Sequence, residues 1–197
     1  GCALAMILSC AVLVAACAVA LAAGTRTVAF QSGGQRRTAR LDVPAAPAGR
    51  RVGLIVALHF AGGTGREMAS YTRLSAPAGK AGFAVAYPAA VKADHVWRLR
   101  SDADGDADVR QIADLLDAVA VVACIEAGRT IATGVSNGGG MAARLACALP
   151  ERFAAVAPVA PGLKAITPCP AGRAVGILEI HGLADTVVPY AGSGQAH

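Results

Sequence analysis

No C-x-x-C pair occurs in this chain of 197 residues, although it carries six cysteines. Zinc fingers and ribbons need that close spacing to fill a tetrahedral shell, so no metal site is expected. Aromatic residues are scarce, at 4%. The net charge is +5, but the arginines are scattered and form no basic stripe interleaved with aromatics. Nucleic acid is therefore not an expected partner, and a modest attraction to acidic surfaces is all the charge implies. Charged residues are only 16% against 55% hydrophobic, which excludes a disordered chain. The length suits one α/β domain with a substantial core.

Charge is missing altogether from Gly1 to Thr25, and Cys2–Ala23 is almost wholly Ala, Val, Leu, Cys, Met and Ile. Residues 1–24 are expected to be a targeting segment, leaving 25–197 as the domain. One reading is a secretory signal, with Ala20-Leu21-Ala22 as its small-residue cleavage site. Another is a lipoprotein signal, in which Val14-Ala15-Ala16-Cys17 would place a lipid on Cys17. A retained membrane helix is the third, with a weak insertion signal because of the alanine content. Each reading takes the chain out of the cytoplasm, and membrane contact is expected only through this segment. Cys2, Cys10 and Cys17 fall inside it. Of Cys124, Cys147 and Cys169, an oxidising compartment would leave one disulfide and one free thiol, with Cys147–Cys169 the preferred pair.

Beyond the leader, Thr25–Phe30 and Arg36–Val43 read as strands around a turn at Ser32-Gly33-Gly34. Val52–Leu58 is a continuous apolar run, as in a strand buried on both faces. It ends in the loop His59–Gly65. A helix follows over Arg66–Leu74 and is interrupted by Pro77 and Gly79. Further strands are expected at Phe83–Tyr87, Arg129–Thr133, Phe153–Ala160 and Val175–Ile180. Ile112, Leu115, Leu116, Val119 and Val122 share a helical face, with Asp106 or Asp108 as the cap. Another helix runs from the 136 region to Leu149 and stops at Pro150. Alternating strand and helix predict a doubly wound, mainly parallel sheet, with the site beyond the carboxyl ends of the strands.

Three segments that carry chemistry follow such ends. Gly134-Val135-Ser136-Asn137-Gly138 is a G-x-S-x-G element between a strand and a helix. A serine on that tight turn is lifted above the sheet edge, and small neighbours let strand and helix close together. Ser136 is therefore the candidate nucleophile. The Asn137 N–H, at the helix N-terminus, is a candidate oxyanion donor. A second donor is expected from the loop after Val52–Leu58, with Ala61 first and Phe60 next.

A serine needs a base, and the base an acid to orient it. Asp185 lies 49 residues after Ser136 and fits a nucleophile-then-acid order. In the α/β-hydrolase order the base comes last. Only His197 follows Asp185, 12 residues on, too close for the usual helix and strand. The catalytic histidine is thus expected to lie outside this chain, with the domain cut short at its C-terminal side. His59 and His181 are expected to organise their loops through hydrogen bonds; His95 has no assigned role.

The stretch Cys124–Gly139, with Arg144-Leu145-Ala146-Cys147 and Phe153–Val159, resembles the nucleophile region of secreted polyhydroxybutyrate-depolymerase-like and feruloyl or acetylxylan esterases. His181-Gly182-x-Ala184-Asp185-x-Val187-Val188-Pro189-Tyr190 is similar to that family's acid loop, and Asp108-Val109 after Trp97 also fits. The resemblance covers about Arg26 to Gly192. It implies hydrolysis of ester substrates, polymer-linked ones in particular: polyhydroxyalkanoate, or feruloyl and acetyl esters of plant polysaccharide. It implies no cofactor and no metal. Two positions depart from the family pattern. His59-Phe60 stands where His-Gly is usual, and the Cβ at 60 is expected to restrict the oxyanion loop. The later histidine is absent.

Other motifs are weaker. An EF-hand loop starting at Asp102 would need Gly at 107 and Glu at 113, and both are Ala, so a helix-capping acidic loop is expected instead. Gly62-Gly63-Thr64-Gly65 lacks both a dinucleotide fingerprint and the P-loop lysine. Trp97 reads equally as cleft lining or as filler beneath a loop. Two alternatives to an esterase stay open: a peptidase or acyltransferase on the same scaffold, and a non-catalytic surface protein that kept the fold.

Overall fold

The computed structural model describes Cys17, residues 20–162, Cys169 and residues 172–192. His197 lies outside the described residues. Seven strands form one sheet in the order β1-β2-β4-β3-β5-β6-β7. They are β1 (Gly24–Ser32), β2 (Gln35–Val43), β3 (Val52–Leu58), β4 (Phe83–Tyr87), β5 (Ile125–Val135), β6 (Ala155–Val159) and β7 (Gly176–Ile177). β1 and β2 form an antiparallel hairpin, β2 runs antiparallel to β4, and the remaining pairings are parallel. The hairpin turns at Gly33 and Gly34, both with positive φ, where a Cβ would be strained.

The helices are α1 (Gly65–Thr72), α2 (Ser75–Lys80), α3 (Ala103–Val122) and α4 (Asn137–Ala148). β3 shows how they cover the sheet. Leu54, Val56 and Leu58 pack with Ile112, Leu115 and Val119 of α3 and with Met141 and Leu145 of α4. Ala57 and Ile55 point the other way, into a smaller cluster with Met68 of α1 and Ala78 of α2. Both sheet faces are thus buried, and each fully buried large side chain contributes roughly 1.5–3 kcal/mol. This is the expected doubly wound α/β arrangement.

β7 keeps only Gly176–Ile177 of the expected Val175–Ile180; three other boundaries differ from expectation, each for a local reason. Ser75–Lys80 is helical despite Pro77, because a first-turn proline gives up an N–H that has no intrahelical acceptor. α3 begins earlier than expected, capped by Asp102, whose carboxylate accepts from the Gly105 N–H at 2.9 Å. Asp106 and Asp108 therefore lie inside the helix, and Asp108 is buried. β5 starts at Ile125, and its pairing with β3 shifts register after Val52. Gly128, at φ 83°, supplies the left-handed residue in that stretch.

Cys147 and Cys169 are disulfide-bonded, as preferred from the sequence. Cys124 is not a free thiol: it is bonded to Cys17, 107 residues away. The neighbouring chain packs too. Leu21 and Ala46 exchange backbone hydrogen bonds at 2.8 and 3.0 Å, and the Gly49 N–H donates to the Cys17 carbonyl at 2.7 Å. Leu21 is buried. Among the described residues no helix is long and apolar enough to cross a membrane.

Candidate active site

β3 and β5 are neighbours in the sheet, with Leu58 beside Gly134 at their carboxyl ends. That pairing brings the loop after β3 next to the turn between β5 and α4. Ser136 sits on this turn at φ 55° and ψ −116°. For a non-glycine residue this conformation costs on the order of 1–3 kcal/mol and persists only where the surroundings impose it. They do so through close approach. A Cβ on Gly134 would lie 2.4 Å from the Gly138 carbonyl, and one on Gly138 would lie 2.3 Å from the Leu58 oxygen. The Ser136 N–H donates to the Val159 carbonyl at 2.9 Å, tying the turn to β6.

Asn137 opens α4, and the first helical bond runs from the Gly140 N–H to the Ser136 carbonyl. The Asn137 N–H therefore precedes the bonded part of the helix, and the first turn carries no acidic residue to offset its positive end. The Asn137 side chain faces the other way. Its Oδ1 accepts from the Trp97 N–H at 2.8 Å, and its Nδ2 donates to the Trp97 carbonyl at 2.9 Å.

The loop after β3 is held from within. Gly63 N–H and His59 Nδ1 both reach the Phe60 carbonyl, at 3.0 and 2.7 Å. The Ala61 N–H has no hydrogen-bond acceptor among the described residues. Phe60 is not among the residues of positive φ, so its Cβ brings no backbone strain to the loop. Its ring lies against Gly63 and meets Tyr71 edge-on, with centroids 6.0 Å apart. His59 is buried, and burial lowers its pKa while the Phe60 carbonyl opposes that shift.

Asp185 accepts from the Val187 and Val188 N–H groups, both at 2.9 Å and both on Oδ1. Those bonds hold its pKa below the usual carboxylate value. Its Oδ2 lies 3.7 Å from His181 Nε2. That nitrogen is nearer the Val188 carbonyl, at 2.7 Å, and Nδ1 lies 3.1 Å from Glu179. Both ring nitrogens are thus engaged within the acid loop, and the Val188 and Glu179 acceptors raise the imidazole pKa.

The frame beneath these groups is hard to read from the sequence. Trp97 is buried, so it is not cleft lining. Asp108 accepts from the backbone N–H groups of Val91 and Arg98, at 2.8 and 2.9 Å. Arg144 is buried and donates to the Arg98 carbonyl at 2.9 Å, to the Arg100 carbonyl and to Asp106. The advance signals were the family resemblance at Asp108-Val109, Trp97 and Arg144, and the placing of an arginine and an aspartate among the apolar faces of two core helices. Among the described residues no cluster of side chains is arranged to hold a metal ion.

A family model for esterase PHB depolymerases matches residues 38–167, more than half of the chain. The chain belongs to the esterase PHB depolymerase family. NocK of Nocardia uniformis subsp. tsuyamanensis, named as an esterase, is 35% identical over 177 residues, covering 86% of this chain and 50% of NocK. Feruloyl esterase C of Emericella nidulans is 38% identical over 86 residues, or 43% of this chain and 31% of that enzyme. The chain thus spans about half the length of NocK and under a third of the feruloyl esterase. Among solved structures, a dienelactone hydrolase-like promiscuous phosphotriesterase, P91, from metagenomic libraries superposes with a TM-score of 0.66 at 20% identity, over 87% of this chain and 74% of that one. The acetyl xylan esterase from Aspergillus awamori does so with a TM-score of 0.57 at 22% identity, over 68% of this chain and 50% of that one. Likeness at these identities establishes the α/β-hydrolase fold that the family members share.

Proposed function

We propose that the protein is a serine carboxylic ester hydrolase. Ser136 attacks the ester carbonyl, Asp185 orients the base, and the Asn137 and Ala61 N–H groups hold the oxyanion of the tetrahedral intermediate. The base takes the Ser136 proton and passes it to the leaving alkoxide; water then releases the acyl group by the same route reversed. The observation that carries this reading is the Ser136 backbone, held at φ 55° between two glycines that admit no Cβ.

The base in this reading is a histidine that follows Asp185 and lies outside the described residues. His181 is a poor candidate, because its ring nitrogens face Val188 and Glu179. For substrate, the reading is a polymer-linked ester, either polyhydroxyalkanoate or a feruloyl or acetyl ester of plant polysaccharide. The family description and the feruloyl esterase relative support that class. For location, the reading is extracytoplasmic: two disulfides suit an oxidising compartment.

The test is hydrolysis of p-nitrophenyl acetate and methyl ferulate by the protein expressed from its full reading frame. Ser136→Ala lowers kcat/KM by at least about 10³-fold. Unchanged hydrolysis by that variant overturns the mechanism.

A further inference from the structure

The two oxyanion donors sit on different segments, Ala61 after β3 and Asn137 at the head of α4, yet they must share one oxygen atom. A single buried residue, Trp97, is bonded to both segments, by its backbone N–H and carbonyl to Asn137 and by its side chain to the loop after β3. Trp97 forms a two-bond ring with the Asn137 side-chain amide, at 2.8 and 2.9 Å. Its indole N–H donates to the His59 carbonyl at 2.9 Å. Its ring also stacks on the His59 imidazole, with centroids 4.9 Å apart and planes inclined by 35°.

His59 carries the constraint onward. The Ala90 N–H donates to His59 Nε2 at 3.2 Å, so that nitrogen holds no proton in the neutral ring. The proton is then on Nδ1, which donates to the Phe60 carbonyl at 2.7 Å. Carbonyl and N–H point in opposite directions across a trans peptide. Fixing the Phe60 carbonyl from one side therefore aims the Ala61 N–H out of the other.

We propose that Trp97 is a positioning residue that sets the two oxyanion donors in register, through Asn137 on one side and His59 on the other. This rests on the reading of Ser136, Ala61 and Asn137 given above. Trp97 touches no reacting atom in this account. Its contribution is preorganisation: donors fixed in advance need no rearrangement as charge develops on the oxygen. The loop that carries it is braced in turn by Asp108 and Arg144.

The test uses Trp97→Phe, which keeps a ring and removes the indole N–H, and Asn137→Ala, which keeps the backbone donor and removes both bonds to Trp97. Each is expected to lower kcat about 10- to 10²-fold with KM within about twofold, short of the 10²–10³ lost with a whole donor. Inhibition by an alkyl trifluoromethyl ketone, whose serine adduct carries an oxyanion, weakens in parallel with kcat. The double variant loses about as much as the worse single one, because both cut one chain of contacts. Losses that multiply in the double variant overturn the proposal. So does a fall in kcat without weaker ketone inhibition, or unchanged kcat in both variants. If Trp97→Phe melts below the assay temperature, Asn137→Ala and its ketone inhibition decide alone. Ser136→Ala, run alongside, separates the two levels: full activity there refutes the nucleophile assignment and the role of Trp97 with it, whereas lost activity there with unchanged kcat in the other two variants refutes the role of Trp97 alone.

Discussion

At the scale of single residues, the nucleophile turn depends on what is absent from its neighbours. A methyl group on Gly138 would meet a backbone carbonyl, which cannot swing aside as a side chain could. Gly138→Ala is expected to cost about 1–3 kcal/mol and to shift Ser136 out of line, read as a lower urea midpoint together with lost esterase activity. Asp108 makes the opposite case, a polar group that is present where an apolar one would be expected. Desolvation raises its pKa, while the N–H groups of Arg98 and Val91 oppose that shift. Asp108→Ala leaves both N–H groups without their acceptor and is expected to cost about 1–3 kcal/mol.

His59 gives a pH dependence of definite sign. Burial depresses its folded pKa, so the folded protein keeps the ring neutral while the unfolded chain takes up a proton below about pH 6.5. The stability it contributes is present in full above that pH and is lost as the pH falls through the lowered folded value. Of its ionisable neighbours, His95 adds to the lowering and Glu67 opposes it. The melting temperature of the wild type should therefore fall more steeply than that of His59→Asn as the pH drops below about 6.5. Parallel curves would show that His59 does not titrate in this way.

At the scale of elements, the strands and the large helices were legible because their patterns repeat. The apolar run of β3 and the spacing of Ile112, Leu115 and Val119 leave few alternatives, and G-x-S-x-G fixed the turn between β5 and α4. The brace formed by α3, α4 and the loop before α3 was not legible. Arg144 reaches Arg98 and Arg100, more than forty positions away in the chain, and no local pattern encodes such a contact. The cap of α3 was misjudged for a related reason. Several aspartates compete there, and only packing shows that Asp102 faces the helix end while Asp108 turns inward. Arg144→Met removes the buried donors and is expected to release the loop carrying Trp97. Faster hydrogen exchange at the Val96–Arg98 amides than in the wild type would show it, and unchanged exchange there would contradict the brace.

At the scale of the whole molecule, the fold and family were readable because a few motifs lie at the ends of parallel strands, where such sheets place their sites. The pairing of Cys17 with Cys124 was not readable, because an apolar, uncharged N-terminus reads as a leader whatever its cysteines do. That bond occupies the sulfur a lipid anchor would use, so the two fates of Cys17 exclude each other. Peptide mapping of the protein without reduction is expected to yield a fragment linking Cys17 to Cys124. A lipid on Cys17, or a mature chain that starts beyond it, would refute the pairing.

The central claim is that Ser136 is the nucleophile of an ester hydrolase, and labelling with a fluorophosphonate tests it most directly. The protein from the full reading frame is treated while it is hydrolysing p-nitrophenyl acetate, digested, and its peptides are weighed. The account predicts one adduct on Ser136, formed as activity is lost and absent from Ser136→Ala. Loss of activity with the adduct on another residue, or continued hydrolysis with Ser136 fully labelled, would contradict it.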